Sequence, residues 1–484
     1  MLKHAMDVKV NVRPIFSNVV HTAAVWEGPC RVGRPEILSP EYESRAGKEE
    51  FKNWKKTVVE GICAEANVLE PLYIEYDETF YVSDEKLHEL APNPSEVDLF
   101  LITYRVPGIE RLGIPISMIN CGPTPVDLVA FYRDIGLDAY MAHDYEEFND
   151  IIRRLQVKKA LANTKLLVLT ADEQFPVSVN SSNPDIYGLN LKYGIRSTRH
   201  SIREVFDYMD STTSEEKFAA EAKALSDKAE ASTISDRLIC HDLDYMNAVK
   251  SMMEKFGCNA FTTACKELCA SRLPMRNKCT PCLTHSLLRN DRIPTACEKD
   301  LNAWMAVAVL MYLTKKAPFM GNPSLVKAHK RPIEDLGMTR LVAGPAEGFD
   351  EEVLEVRHAV PPTKLLGYDK PEMPFELGHF TYEGFGTKVQ VNMADTDDKT
   401  VTIARFDRHG EKMIAAKGEI VGCAYRDIEC SPAVYYHIDG GAREFRHALA
   451  DGGYGHHLVV VYGDYRDELK KLAKIVGFEM EIFN

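Results

Sequence analysis

One stretch, Arg292–Thr314, places acidic side chains between two apolar segments. The first segment, Ile293–Ala296, is too short for a helix and ends abruptly at charged residues, so it predicts a buried strand. The second, Leu301–Thr314, is apolar almost throughout and predicts a helix that is buried on most of its circumference. In parallel α/β folds, the side chains just past the carboxyl end of a strand line the ligand crevice. Glu298 and Asp300 occupy that position, which predicts a functional site, with a salt bridge between two layers as the alternative.

A second charged strand end lies upstream of this stretch. Asn259–Ala264 has the pattern of a strand, and Lys266 and Glu267 follow it directly. Two charged strand ends in one region are typical of a ligand crevice in an α/β domain. Glu267 is therefore a candidate site residue, with an ordinary hydrogen-bonding role as the alternative.

The cysteines allow a different kind of site. Twelve of them are scattered through 484 residues, several in apolar runs, which favours reduced thiols over a disulfide framework. Cys279 and Cys282 have the spacing found in zinc knuckles, and Cys265 and Cys269 are the nearest second pair. The sequence leaves open whether the Cys265-Cys282 cluster binds a structural zinc ion or only packs.

The alternation of strand and helix patterns predicts the fold class. Strand patterns in the first part of the chain are Val8–Pro14, Val97–Thr103, Ile114–Ile119 and Leu166–Thr170, which we assign to one parallel sheet. We predict two doubly wound, Rossmann-like α/β domains, residues 1-171 and 172-343. After residue 343 turn residues and alternating apolar positions multiply, which predicts a β-rich, barrel-like C-terminal domain over residues 344-484.

The charge and the hydropathy exclude several partners. With 58 basic and 72 acidic residues the formal net charge is −14, which repels phosphate backbones, and no basic block offsets it. We therefore expect no nucleic-acid partner. The chain begins without an apolar signal segment, and its longest apolar run is too short to span a bilayer. These features predict a soluble, cytoplasmic protein without a membrane partner.

Two adjacent histidines near the C-terminus are unusual for a packed segment. His456 and His457 follow a glycine-rich turn and directly precede the apolar strand pattern Leu458–Tyr462. Imidazole is polar, and histidine is the commonest metal ligand. His358, in the segment LEVRHAVPP, is a third candidate, with a hydrogen-bonded loop histidine as the alternative. Together with the strand-end carboxylates, these histidines predict a metal site.

Four motifs follow one another in order: ACEKDLNA, FMGNP, RHAVPP and GYGHHLVVVYGD. In order and approximate spacing they resemble the L-fucose isomerase and L-arabinose isomerase superfamily of aldose–ketose isomerases, over about Gly257–Asn484. The N-terminal half resembles this family only in its α/β pattern and in Arg13-Pro14. The resemblance implies an L fucose isomerase-like three-domain architecture. It also implies a metal-dependent isomerase that converts a free monosaccharide through a cis-enediol intermediate.

The resemblance also implies the ligands of Mn²⁺ or another divalent metal. They fall on Glu298, on His457 and, as in the arabinose branch, on His358. Where the characterised isomerases have a second acid, this sequence has Asn322. An asparagine can ligate through its carbonyl oxygen but cannot move protons, so this position departs from the family.

Further roles follow from the same resemblance. Glu298 is expected to remove the C2 proton of the sugar, with Lys266 and Glu267 supplying the group that Asn322 lacks. The expected substrate contacts are Arg13, Trp26, Arg31, Asn322 and His456. Because sites of this family borrow N-terminal residues from a neighbouring subunit, we expect a closed homo-oligomer, with a hexamer as its expected size.

Two other functions remain compatible with these residues. One is a sugar-binding or regulatory relative that has lost its metal chemistry, as Asn322 would allow. The other is a sugar epimerase or carbon–carbon lyase that uses the same enediolate. An ion bound between Glu298 and His457 would favour the catalytic functions over the sugar-binding function.

Overall fold

The structure is a computed structural model that describes residues 2–22, 39–170, 179–182, 186–328 and 337–484. The protein is a mixed α/β molecule with parallel-strand sheets and a closed antiparallel β-barrel in its C-terminal region. These coarse features confirm the predicted combination of parallel α/β structure and a barrel. The chain forms two compact units, Val8–Lys159 and a larger one made of Met1–Asp7 and Ala160–Asn484. The division into residues 1-171, 172-343 and 344-484 stays a prediction.

The smaller unit is built around a parallel sheet. Its strands in spatial order are Ala66–Val68, Val10–Val20, Leu99–Ile102, Ile116–Ile119 and Ala139–Ala142, and Leu72–Asp77 also pairs with Val10–Val20. Its helices are Pro40–Gly61, Asp84–Leu90, Thr124–Asp134 and Tyr145–Ala162, with 3-10 turns at Pro94–Glu96 and Ile109–Leu112. Every residue of Leu99–Ile102 is buried, as expected of a central strand in a parallel sheet. The first long helix begins where the Ser39 side chain accepts the N–H of Tyr42, with Pro40 at its first position.

The larger unit contains a second parallel sheet, which carries the candidate site. Its strands in spatial order are Thr295–Ala296, Ala260–Thr263, Lys165–Thr170 and Arg196–Ser201. The predicted place of Leu166–Thr170 in the N-terminal sheet is therefore wrong, because this strand pairs with Ala260–Thr263 and Arg196–Ser201. A short, wholly apolar run predicts a buried strand but does not indicate which strands flank it.

The helices of the larger unit include the buried helix that the sequence predicts. Asp236–Phe256 ends at Gly257, whose φ of 63° is the left-handed conformation expected of a glycine cap. Leu301–Thr314 is buried from Leu301 through Tyr312, which confirms the predicted buried helix. The others are Ile186–Tyr193, Ser214–Lys217, Ala219–Lys228, Cys265–Ala270, Leu273–Asn277, Cys282–Asn290, Ala442–Asp451 and Arg466–Val476, with 3-10 turns at Ala5–Asp7 and Glu204–Tyr208.

The barrel closes within the C-terminal part of the larger unit. Its strands in spatial order are Lys412–Tyr425, Thr400–Phe406, Leu458–Tyr462, Phe319–Val326, Val353–Arg357 and Ala433–Ile438, and the last pairs again with the first. Arg340–Ala343 and Glu479–Phe483 also pair with Lys412–Tyr425. A small separate sheet joins Thr387–Val391, Phe375–His379 and Ala231–Ser232. The barrel takes in Phe319–Val326, so the FMGNP motif forms one of its strands. No helix in the described ranges combines the length and the apolar character that crossing a membrane requires.

Candidate metal centre

Three of the predicted metal ligands, Glu298, His358 and His457, meet inside the larger unit. One ligand atom of each lies within 4.8 Å of those of the other two. All three residues are buried, with exposed fractions of 8% for Glu298, 2% for His358 and 0% for His457. In the part of the chain that the structure describes, no other group of three His, Cys, Asp or Glu side chains is arranged to hold a metal ion.

The ends of strands from two sheets deliver these side chains. Glu298 stands two positions after the edge strand of the parallel sheet. His358 directly follows the barrel strand Val353–Arg357, and His457 directly precedes the barrel strand Leu458–Tyr462. The candidate centre thus forms where the carboxyl edge of the parallel sheet meets the barrel.

Two of the three candidate ligands have a left-handed backbone. The φ angles are 58° at Glu298, 54° at Lys299 and 69° at His457. For a residue other than glycine this conformation costs about 1–2 kcal/mol, and it persists only where the surroundings fix it. The N–H of Lys299 donates to the carbonyl of Thr263 at 2.9 Å, which ties the turn at Glu298 to the neighbouring strand. Such strained residues cluster at functional sites.

His457 is held in the tautomer that a metal ligand needs. Its Nδ1 lies 2.9 Å from Oδ2 of Asp300, so the proton of a neutral ring sits on Nδ1 and the lone pair on Nε2. Nε2 lies 3.6 Å from Oε1 of Glu298 and has no hydrogen-bond partner among the described residues. Burial lowers the pKa of His457, but Asp300 and Glu298 raise it above its ordinary value. A carboxylate behind a histidine is a common support for a metal ligand.

His358 has the opposite arrangement. Its Nδ1 accepts the backbone N–H of Ala359 at 3.0 Å, so the proton of the neutral ring sits on Nε2. That Nε2 lies 4.0 Å from Oε1 of Glu298, and no described residue forms a hydrogen bond with it. Burial, reinforced by His457, lowers the pKa of His358 to about 3. The ring is neutral at pH 7, but it has to release the Nε2 proton before it can ligate through this atom.

Asp300 belongs to a buried ion pair and does not face the candidate centre as a ligand. Its Oδ2 lies 2.9 Å from Nη1 of Arg405, and both side chains are 0% exposed. Its Oδ1 accepts the backbone N–H groups of Asn302 and Ala303, each at 3.1 Å, which caps the following helix. Burial raises the pKa of Asp300, but Arg405 and His457 hold it well below its usual range. The predicted alternative, a salt-bridged strand end, therefore describes Asp300.

Glu298 contributes the negative charge of the cluster. Nζ of Lys266 lies 3.1 Å from Oε2 of Glu298, and the Lys266 side chain is 59% exposed. Burial raises the pKa of Glu298, but His457, His358 and Lys266 outweigh burial and lower it to about 2. The carboxylate is thus ionised at neutral pH, which is the form that binds a cation.

The remaining predicted site residues of the larger unit lie on nearby elements. Glu267 is half-buried on the same short helix as Lys266. Asn322 is half-buried on a barrel strand and pairs in register with Arg357, the residue before His358. His456 is half-buried, and burial lowers its pKa to about 4. Their roles in catalysis, metal ligation and substrate binding stay predictions.

Three predicted substrate contacts, Arg13, Trp26 and Arg31, come from the N-terminal part of the chain. Arg13 belongs to the smaller unit, on the strand Val10–Val20, and its Nη1 donates to the carbonyl of Glu70 at 3.0 Å. Trp26 and Arg31 lie outside the described residues. Their roles in substrate binding stay predictions.

The cysteines do not form a competing metal site among the described residues. Cys279 and Cys282 are buried, but among the described residues no three potential ligand atoms that include a cysteine sulfur lie within 4.8 Å of one another. Burial raises the pKa of both thiols well above the ordinary value, so they are protonated. The geometry favours packing over a structural zinc ion for these residues.

The donor set fits a divalent transition metal. One carboxylate and two imidazoles are ligands of Zn²⁺, Fe²⁺, Mn²⁺ and related ions, so they do not identify the metal. The Nε2 atoms of His358 and His457 are buried and lack hydrogen-bond partners among the described residues. An unsatisfied buried polar group costs about 1–3 kcal/mol. Ligation would satisfy Nε2 of His457, and it would satisfy Nε2 of His358 once that atom has lost its proton.

Sequence reasoning missed Arg405, which supports His457 through Asp300. The residue lies in the strand Thr400–Phe406, which is otherwise apolar in its second half. A charged side chain in such a strand predicts a buried acidic partner, because arginine is seldom buried alone. That signal was present in the sequence, but it does not identify the partner.

No protein-family model matches this chain, and no curated protein matches it. The resemblance to sugar isomerases is therefore carried by the four motifs, and the structure adds the burial and the proximity of the residues that those motifs contain.

Proposed function

We propose that this protein is a metal-dependent aldose–ketose isomerase that acts on a free monosaccharide through a cis-enediol intermediate. The observation that carries the proposal is the convergence of Glu298, His358 and His457 in one buried cluster. These residues come from three of the four motifs in which the chain resembles the isomerases. The order of the motifs and the proximity of their polar residues are independent observations, and both support the same site.

In this proposal the cluster holds a divalent cation such as Mn²⁺. Once bound, the cation supplies Lewis-acid polarisation of the carbonyl and hydroxyl oxygens of the sugar. Asp300 keeps the proton of His457 on Nδ1. Lys266 contacts Glu298 with a mostly exposed side chain, so its ammonium group is also accessible to a substrate oxygen. Burial of the three candidate ligands limits competition from bulk water.

The proton transfer has two candidate bases. Glu298 is the base that the resemblance implies, but a carboxylate with a pKa of about 2 is a weak one. Glu267 stands half-buried on the helix that also carries Lys266. We propose that one of these two carboxylates moves the C2 proton, since the amide of Asn322 is neither an acid nor a base near neutral pH.

The proposal is tested with chelated protein and a panel of aldoses. Removal of metal is expected to abolish interconversion, Mn²⁺ is expected to restore it, and the C2 proton is expected to exchange with solvent deuterium. Full activity of a chelated protein that contains no metal by elemental analysis would contradict the proposal. An epimerase or a lyase would be recognised in the same assay by its products.

A second candidate function is a sugar-binding or regulatory protein. The specific observation in its favour is Asn322, which stands where the characterised isomerases have an acid. This function predicts sugar binding without turnover, at an affinity that a chelator does not change. Calorimetric titration with sugars in the presence and absence of EDTA separates the two functions.

We further propose a closed homo-oligomer, with a hexamer as its expected size, located in the cytoplasm. The support is the resemblance to a family whose sites borrow N-terminal residues from a neighbouring subunit. Light scattering on purified protein measures the assembly, and a fully active monomer would contradict it.

A further inference from the structure

A single buried guanidinium, that of Arg405, contacts two of the three chain segments that carry candidate ligands. Arg405 lies on the barrel strand Thr400–Phe406, which pairs with Leu458–Tyr462, the strand that begins after His457. Its side chain is wholly buried, as is that of its partner Asp300. Asp300 in turn stands two positions after Glu298 in the chain.

The first set of contacts fixes the carboxylate of Asp300. Nη1 of Arg405 donates to Oδ2 at 2.9 Å and Nη2 donates to Oδ1 at 3.3 Å, so the guanidinium group binds both carboxylate oxygens. This contact holds Oδ2 where it meets Nδ1 of His457 at 2.9 Å. The orientation of the imidazole therefore depends on the guanidinium through one intervening side chain.

The second set of contacts fixes the backbone around His457. Nη1 of Arg405 also donates to the carbonyl of His457 at 3.0 Å, and Nε donates to the carbonyl of Tyr454. Nη2 lies 3.3 Å from Oγ of Ser181, to which it donates. Two carbonyls of the segment 454–457 thus accept hydrogen bonds from the same planar guanidinium group. His457, the last residue of this segment, has the strained φ of 69°. The guanidinium opposes relaxation of this strain, because a change of φ would move the carbonyls.

We propose that Arg405 is a positioning residue of the candidate metal centre, which holds the backbone and, through Asp300, the imidazole of His457 in the geometry that binds a divalent cation. The inference rests on the metal-binding part of the proposed function and is independent of the substrate and the reaction. A merely structural ion pair would contribute to folding stability and leave metal affinity unchanged.

The test compares two equally buried arginines in chelated, full-length protein titrated with Mn²⁺ by calorimetry. Arg405→Lys keeps the charge but loses the planar group that donates to several acceptors at once. We expect Mn²⁺ affinity to fall by about 10–100-fold, the usual effect of losing the support behind a metal ligand. The control is Arg289→Lys. Arg289 is also 0% exposed, but it donates to the carbonyls of Pro318, Val360 and His285 and forms no hydrogen bond with a candidate ligand. Its charge acts on His358, and lysine keeps that charge. This control is expected to lose stability and to keep wild-type affinity.

A second variant covers the case in which Arg405→Lys does not fold. Asp300→Asn keeps the shape but removes the charge, and its single carbonyl oxygen cannot both cap the helix at the Oδ1 position and accept the Nδ1 proton of His457 at the Oδ2 position. We expect weaker Mn²⁺ binding and an altered visible absorption spectrum of the Co²⁺-loaded protein, a signal that a loss of stability alone does not produce. Wild-type affinity and spectrum in folded Arg405→Lys or Asp300→Asn would overturn the inference. Failure of the wild-type protein to bind Mn²⁺ would instead contradict the proposed function.

Discussion

The two barrel strand ends that bring histidines to the candidate centre are built differently. At the entry to Leu458–Tyr462, His457 has a left-handed backbone, and Asp300 holds the proton of its ring on Nδ1. At the exit from Val353–Arg357, His358 accepts the N–H of Ala359 on Nδ1 and carries its proton on Nε2. Both histidines are buried and both lie near Glu298. The comparison teaches that burial and proximity do not make two histidines equal ligands, because the partner of the far nitrogen decides which lone pair is available.

Glu298 is the residue that the two histidines share, so its substitution is expected to have the largest effect. Glu298→Gln keeps the shape and one ligating oxygen but removes the charge. We expect isomerase activity to fall by about 10²-fold or more, the scale of losing a general base, and Mn²⁺ affinity to fall with it. Glu267→Gln is the matched control and is expected to leave Mn²⁺ affinity intact. A loss of activity in this variant would identify Glu267 as the base. Wild-type metal affinity in Glu298→Gln would place the ion elsewhere.

The two histidines are compared directly by replacing each with glutamine. We expect His457→Gln to weaken Mn²⁺ binding by about 10–100-fold, since it removes the supported ligand. His358→Gln is expected to weaken it less, because no carboxylate supports the ring of His358, whose Nδ1 accepts the N–H of Ala359. Calorimetric titration at pH 7 measures both. An equal or larger loss in His358→Gln would reverse the ranking of the two strand ends.

The pH dependence of stability is expected to have opposite signs at the two ends. The pKa of His358 is lowered to about 3 by burial, so below pH 6.5 the unfolded chain binds a proton that the folded chain does not, and stability falls as pH falls. The pKa of His457 is raised by its carboxylate neighbours despite burial, so its contribution is present below pH 6.5 and is lost as pH rises through the higher folded value.

Denaturant unfolding of chelated variants measures these contributions. Between pH 6.5 and 5, His358→Gln is expected to reduce the loss of stability by up to about 1.4 kcal/mol per pH unit, the value for one proton. Above pH 6.5, His457→Gln is expected to flatten the decline. Identical pH profiles for the wild type and both variants would show that the two environments do not differ as described.

The sequence predicted the elements of this site better than their connections. The acidic strand end at Glu298, the buried helix Leu301–Thr314 and the histidines could be recognised because each places charged or polar groups at the border of an apolar run. The neighbours of Leu166–Thr170 could not, since an apolar strand carries no signal for its partners. Arg405 was missed for a related reason: its partner Asp300 is distant in sequence, and their pairing depends on the closed barrel.

The smallest expected effect comes from restoring the acid that the characterised isomerases have. Asn322 lies half-buried on the strand Phe319–Val326, between the two histidine-bearing strands. Asn322→Asp adds a carboxylate, which hard divalent cations favour, and is expected to tighten Mn²⁺ binding while leaving the fold unchanged. The expected change in Mn²⁺ affinity is opposite to that of Glu298→Gln, so the two variants control for each other in one titration series. Unchanged affinity in Asn322→Asp would remove Asn322 from the candidate centre.

The most direct measurement of the central claim is the position of the ion itself. Crystals of the protein loaded with Mn²⁺ are measured on both sides of the manganese absorption edge, and an anomalous difference map locates the metal. The account predicts one peak within bonding distance of a carboxylate oxygen of Glu298 and of Nε2 of His457. Asp300 is expected to remain hydrogen-bonded to Nδ1 of His457, and Arg405 to Asp300. A peak among the cysteines, or no peak at Glu298 in metal-saturated crystals, would contradict it.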